Sequence, residues 1–287
     1  MLLKRRECDN YMDKKLILVT GATAGIGEAA AYALAAQGHA IIVVGRNPAK
    51  TQRVANEIRT KTGNDSIHAL VADFTDLEQV RQLAEQVKQK FTPLDVLVNN
   101  AGAVFMRRYR TKYGVEKTFL VNHLAHFLLT NLLLDHLQEN ARIINVSSGS
   151  HRNGRLDLND LNLDGFYFGI AAYGRSKLAN VLFTYELTRR FKDRKVMANA
   201  LHPGRVGTDI FKADFKTLGP LIKWIVSRVS LTPEQGADNT IFLAASAEVE
   251  GVTGKYFVKR DAVPSSPLSY DTKLARQLWE VSERLTA

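Results

Sequence analysis

The sequence predicts an α/β fold, a doubly wound parallel sheet of about seven strands with helices on both faces, in a single domain. Three observations predict it. Short β-branched apolar runs alternate with longer stretches of helical periodicity along the chain. Each run is almost continuously hydrophobic, the pattern of a strand buried on both faces. The chain has 287 residues and is 45% hydrophobic, enough for one large core.

The elements follow in order. The first strand is Leu16–Thr20 (LILVT), followed by an Ala-rich helix over 27–37. The second strand is 40–44 (AIIVV). Asn47 then Pro48 supply an N-cap and a first helical residue, opening a helix to about residue 61. Ile67–Val71 is the third strand, Leu77–Lys90 a helix capped by Asp76, and 96–98 the fourth strand. A long helix is expected over 112–137 and a fifth strand over 142–147. A helix over 172–191, a sixth strand over 196–202 and a seventh at Tyr256–Val258 complete the alternation. No internal repeat, low-complexity segment or linker interrupts it.

Charge and cysteine narrow the function classes. The net charge is +10, which admits nucleic acid, an anionic surface or a polyanionic cofactor. No run of five or six like charges occurs, so the basic residues read as solvated faces and nucleic acid is not an expected partner. The one cysteine, Cys8, excludes an internal disulfide and fits a reducing, cytoplasmic compartment. The opening MLLKRRECDNYMDKK has no apolar core and is not read as a secretory signal. Residues 1–13 are expected to form a tail, with Met12 as an alternative start. The most apolar stretch, 119–137, is broken by Asn122, His123, His126 and Asn131, so no membrane span is expected.

The motifs carry the chemistry. TGATAGIG puts Gly21, Gly25 and Gly27 between a strand and a helix, where a pyrophosphate meets bare backbone and the positive end of a helix dipole. An NAD site needs a carboxylate at the end of the second strand. Gly45 and Arg46 stand there instead, and a guanidinium suits a 2′-phosphate. Asp73 follows the third strand, placed either to accept the adenine amino group or to cap the next turn. Tyr173 and Lys177 lie at i, i+4 and share one helix face. A free phenol titrates near ~10; a cation alongside favours phenolate and lowers that value. Tyr173 then serves as general acid or base for an alcohol or carbonyl oxygen. Gly174 and Ser176 are small and let the helix lie close to a cofactor. His123 and His126 have no third ligand nearby in sequence, so they read as packing residues and no metal is expected.

Five motifs in order resemble the short-chain dehydrogenase/reductase family, over about residues 14–258: TGATAGIG at 20–27, NNAG at 99–102, SSGS at 147–150, YGRSK at 173–177 and HPGRVGT at 202–208. SSGSHRNGR followed by YGRSKLANVLFTYEL resembles its retinol dehydrogenase-like branch. The resemblance implies a Rossmann-type fold and an NADP(H)-dependent exchange of a carbonyl and an alcohol. It implies a catalytic set of Asn122, Ser148, Tyr173 and Lys177. Ser148 bonds the substrate oxygen, with Ser147 the adjacent candidate. Asn122 holds a water that feeds a proton relay through Lys177, which also holds the nicotinamide ribose. The implied cofactor contacts are Gly21, Thr23, Ala24, Gly25, Ile26, Gly27, Arg46, Asp73, Phe74, Asn100, Ala101, Gly102, Tyr173, Lys177, Pro203, Gly204, Val206 and Thr208. The long helix and the catalytic helix form dimer faces in many relatives, which implies a homo-oligomer. The rival readings are a non-catalytic NADP-binding regulator on the same fold and, last, a nucleic-acid binder.

Two segments bear on the substrate. Between Ser148 and Tyr173, HRNGRLDLNDLNLDGFYFGI is longer than in many family members and reads as a loop walling the substrate site; the retinol dehydrogenase-like branch shares it. Residues 209–232 read as a substrate lid. Phe211, Phe215, Leu218, Ile222, Ile225 and Val229 form an apolar stripe at helical spacing, split at Gly219–Pro220. The expected substrate is an apolar aldehyde, ketone or alcohol. Trp224 and the neighbouring Lys212, Lys216, Lys223 and Arg228 suit peripheral contact with an anionic membrane surface.

Overall fold

The computed structural model describes residues 14–204 and 231–287. Eight strands form one sheet in the order β3-β2-β1-β4-β5-β6-β7-β8. They are β1 Leu16–Thr20, β2 Ala40–Gly45, β3 Ile67–Val71, β4 Leu94–Asn99, β5 Leu137–Val146, β6 Met197–His202, β7 Tyr256–Val258 and β8 Asp261–Ala262. All pairings are parallel except the last, a short antiparallel edge. The strand order reverses between β1 and β4. A ligand crevice opens at the carboxyl ends of strands at such a switch point.

The pleat divides the core in two. Leu18, Ile42, Val44, Leu97 and Ile143 face one side and pack on α3 (Leu77–Lys90), α5 (Ala125–Leu133), α6 (Gly169–Arg190) and α8 (Thr272–Thr286). Ile17, Val19, Ile41, Val43, Val96 and Val98 face the other and pack on α1 (Gly25–Ala36), α2 (Pro48–Thr62) and α7 (Pro233–Ala245). That explains the continuous apolar runs: neither face of the central strands meets water. Asn47 caps α2 by accepting from Lys50 N at 2.9 Å, and Asp76 caps α3.

The expected long helix over 112–137 is corrected. Helix begins at Lys117 as a short turn, α4 (Lys117–Phe119), opened by the buried Glu116 carboxylate. A π turn, Leu120–Leu124, interrupts it before α5, and a 3₁₀ turn ends it at His136. Leu137 belongs to β5, which starts earlier than expected. The other boundaries shift modestly: α1 begins at Gly25 and α6 at Gly169. The eighth strand, α7 and α8 are additions to the sequence reading. The tail at 1–13 with Cys8, the positions Val206 and Thr208, and most of the expected lid (Phe211 to Val229) lie outside the described residues. Among the described residues, no helix is long and apolar enough to cross a membrane.

Candidate active site

The catalytic candidates come together above the carboxyl ends of β4, β5 and β6. β5 delivers Ser147 and Ser148 with opposite fates. Ser147 is buried and donates to the Lys177 carbonyl at 2.8 Å, so it ties the strand to α6. Ser148 turns outward: its hydroxyl accepts from Ser150 N at 3.2 Å, donates to Ser150 Oγ at 3.3 Å, and stands close enough to the Tyr173 phenol to hold its titration down. The choice between the two serines is thereby made by orientation. Lys177 Nζ donates to the Val146 carbonyl at 2.8 Å and lies 5.5 Å from the centre of the Tyr173 ring.

The expected lowering of Tyr173 by a neighbouring cation does not describe the protein alone. Burial pushes the phenol up to about 12, partly offset by the Ser148 hydrogen bond. The same burial pulls Lys177 down to about 7, so the amine brings less charge than a solvated lysine.

Asn122 sits inside the π turn, and irregular helix of this kind concentrates at functional sites. Its side chain makes three hydrogen bonds. Oδ1 accepts from Ala103 N at 2.8 Å; Nδ2 donates to the Ala103 carbonyl at 3.0 Å and to Ser176 Oγ at 2.9 Å. The residue that looked like a poor helix former is thus a clamp on the loop after β4. Gly174 and Ser176 are also reassigned. A Cβ on Gly174 would lie 2.9 Å from the Ser150 carbonyl, so its smallness lets α6 meet the 149–154 turn rather than a cofactor. Ser176 bonds Asn122 and the Tyr173 carbonyl.

The glycine loop fits a dinucleotide. Gly21 and Gly25 have φ of +65° and +57°, a region L side chains rarely adopt. A Cβ on Gly27 would sit 2.3 Å from Asn100 Nδ2 and 2.5 Å from the Gly21 carbonyl. The N-cap of α1, Ala24, offers no side-chain acceptor, which leaves the first turn of the helix to a ligand. Thr23 packs so tightly on Gly45 that a Cβ there would meet it at 2.3 Å, setting exposed Arg46 beside the loop. Asp73 Oδ1 accepts from Thr75 N at 2.9 Å, so it caps its own turn and keeps its other oxygen. Phe74 is buried with its ring 5.0 Å from His126. Gly102 is exposed, and a Cβ there would stand 3.4 Å from Asn122 Oδ1 and 3.6 Å from Lys177 Nζ. Pro203 and Gly204 follow β6, with Gly204 at φ +88°.

Several working residues escaped the sequence reading. Thr20 is the junction of the glycine loop and the NNAG segment: its hydroxyl accepts from Asn100 N at 2.8 Å and Ala101 N at 2.9 Å. His151 links the Ser148 carbonyl (2.7 Å from Nδ1) to Ser266 N (3.0 Å from Nε2). Tyr167, in the inserted segment, donates to the Phe105 carbonyl at 2.7 Å and lies 3.1 Å from buried Glu116. Burial and the Glu116 charge push that phenol well above its usual range. Arg175 donates to the carbonyls of Asp160 and Leu161, pinning the insertion to α6. Thr20, His151 and Arg175 stand inside the quoted motifs and Tyr167 inside the inserted segment, but nothing in their spacing names these partners.

A switch-point crevice, a glycine loop and a Ser–Tyr–Lys group on one helix and one strand end define a dinucleotide-dependent oxidoreductase. The model of the short chain dehydrogenase family matches residues 15–219, and the chain belongs to that family, in its retinol dehydrogenase-like branch. It is similar to Homo sapiens polyprenol dehydrogenase, 38% identical over 283 residues (95% of this chain, 85% of that protein). It is also similar to Homo sapiens retinol dehydrogenase 13, 40% identical over 282 residues (94% and 84%). Among solved structures, an uncharacterized protein from Mycobacterium paratuberculosis superposes with a TM-score of 0.76 at 31% identity, covering 95% of this chain and 93% of that one. A short chain dehydrogenase from Escherichia coli CFT073 complexed with NADPH gives 0.67 at 26% identity, covering 85% and 95%.

Proposed function

We propose that the protein is an NADP(H)-dependent oxidoreductase that interconverts an apolar aldehyde or ketone with its alcohol. The observation that carries the reading is the convergence of Ser148, the Tyr173 phenol and Lys177 Nζ, 5.5 Å from the centre of the Tyr173 ring, beside exposed Gly102. A nicotinamide cofactor held in the crevice would supply the hydride for reduction or accept it in oxidation. Ser148 holds the substrate oxygen. In reduction Tyr173 gives its proton to that oxygen, and in oxidation it takes the proton back. Lys177, near neutrality in its titration, restores the proton from the solvent side. The glycine loop and Arg46 hold the dinucleotide, with the guanidinium on the 2′-phosphate.

Exposed Phe166, Phe168, Ile170 and Tyr109 favour an apolar substrate, since they leave hydrophobic surface on the inserted segment and the loop that Tyr167 joins to it. The test is an NADPH-coupled assay on aldehydes and ketones with the parent and Tyr173→Phe. The variant is expected to bind NADPH as the parent does and to turn over at least ~10²-fold more slowly. A variant that works at the parental rate refutes the role given to Tyr173.

A further inference from the structure

We propose that His126 is a positioning residue: a neutral imidazole, protonated on Nδ1, that locks the catalytic π turn to the cofactor loop. The proposal rests on the reading of the site given above. His126 is buried, one turn after Asn122. Its Nδ1 lies 3.2 Å from the Asn122 carbonyl oxygen and its Nε2 3.0 Å from Thr20 Oγ1. A carbonyl only accepts, so Nδ1 must carry the proton for the first contact to be a bond.

The other end gives the same answer independently. The Thr20 hydroxyl already accepts from Asn100 N and Ala101 N, at 2.8 and 2.9 Å, which uses both lone pairs. A third donor has no place there, so Nε2 must accept the Thr20 proton. The Val98 carbonyl, 3.2 Å from the same hydroxyl, competes for that proton, but the choice would leave Nε2 without a donor. The opposite tautomer would set a lone pair against a carbonyl at one end and crowd a third donor at the other.

The bonds then close a ring. Asn100 and Ala101 donate to Thr20, Thr20 to His126, and His126 to the Asn122 carbonyl. Asn122 grips Ala103 through both backbone groups, which returns to the loop just past Gly102. Gly102, the residue facing Lys177 Nζ, is therefore held from both sides, and His126 is the link between the two anchors. Burial pulls the imidazole down to about 3, partly offset by its bond to the Asn122 carbonyl, and the Phe74 ring lies 5.0 Å from it.

The first measurement is ¹⁵N and ¹³C NMR of histidine-labelled full-length protein, with the His126 signals assigned by their loss in a variant. The expected result is the Nδ1–H tautomer, unchanged over about pH 5.5 to 8.5, a window in which an ordinary histidine titrates. An Nε2–H tautomer, or titration near the ordinary histidine value, overturns the proposal. The second measurement splits the two bonds. In His126→Asn the amide nitrogen falls near the place of Nδ1; in His126→Gln the amide oxygen falls near that of Nε2. His126→Asn is expected to weaken NADPH binding about tenfold with kcat nearly kept, and His126→Gln to lower kcat about tenfold with binding nearly kept. Equal losses of both quantities in both variants, or parental values in both, overturn it. A parent that binds neither NADPH nor NADH refutes the proposed function instead, and the tautomer measurement then still decides the role of His126.

Discussion

At Tyr173 and Lys177, burial works on two groups of opposite charge type. It raises the phenol to about 12 and lowers the ammonium to about 7. Both shifts favour the neutral forms. The protein therefore holds Tyr173 as a proton donor across the neutral range, which suits reduction. Arg46 carries the proposed cofactor preference. With no carboxylate at the end of β2, NADPH is expected to bind ~10- to 150-fold more tightly than NADH, the range of a charge-assisted hydrogen bond. Arg46→Ala is expected to shrink that ratio, read by titrating both cofactors. His123 carries a stability prediction. It is buried neutral, down to about 3 in the folded protein, while an unfolded histidine takes up its proton near 6.5. The unfolded state binds more protons between those values, so stability falls as pH drops through that window. By pH 5 the cost is about 2 kcal/mol for this one residue. Urea unfolding of the parent and His123→Gln at pH 7 and pH 5 checks it: the pH-dependent loss is expected to be smaller in the variant by about that amount.

Among the elements, α1 and the interrupted helix around Asn122 show how backbone geometry serves the site. Gly27 lets α1 approach the NNAG loop and the Gly21 carbonyl closely. Gly27→Ala forces that contact apart, because the Gly21 carbonyl is backbone and cannot step aside. The expected cost is about 1 to 3 kcal/mol of stability, as for other overpacked sites, together with weaker NADPH binding. Denaturant midpoints and cofactor titration measure the two effects. The π turn has a chemical reason as well. It carries Asn122 with its side chain bonded to Ala103 and Ser176 and its carbonyl toward His126. The apolar periodicity of 112–137 gave no warning of this, since a π turn adds one residue without changing which residues are apolar.

Over the whole molecule, the sheet's two cores fix the crevice, and the surface beside it favours an apolar ligand. Each methylene buried in such a site contributes up to ~0.8 kcal/mol, or about fourfold in kcat/KM. Reduction of a homologous series of aldehydes is expected to speed up with chain length until the site is full. A flat series refutes the apolar site. The lid stripe that first pointed to such a substrate lies at 209–232, almost wholly outside the described residues. α8 closes the far side with Trp279, whose ring lies 4.9 Å from Phe127 and 5.7 Å from Phe183, so the C-terminal segment is part of the core rather than an appendage.

The sequence by itself determined the alternation of elements, the sidedness of the strands and the chemical cast of the site. Those are local properties: apolar period, glycine placement, and the Tyr173–Lys177 spacing on one helix turn. Asn47 and Asp76 were legible as caps for the same reason. α7 was legible too, since Thr232 and Pro233 open it with a capping box, though the sequence reading stopped short of it. What only the tertiary structure decided depends on partners far apart in the chain. Ser148 was separated from Ser147 by burial and partner: Ser147 is tied to the Lys177 carbonyl, while Ser148 is left partly exposed beside Tyr173. The proton on His126 is set by Thr20, and Thr20 by Asn100 and Ala101. The titration of Tyr173 reversed direction from expectation because desolvation is a property of the assembled site, and no spacing along a helix records how much water the fold removes.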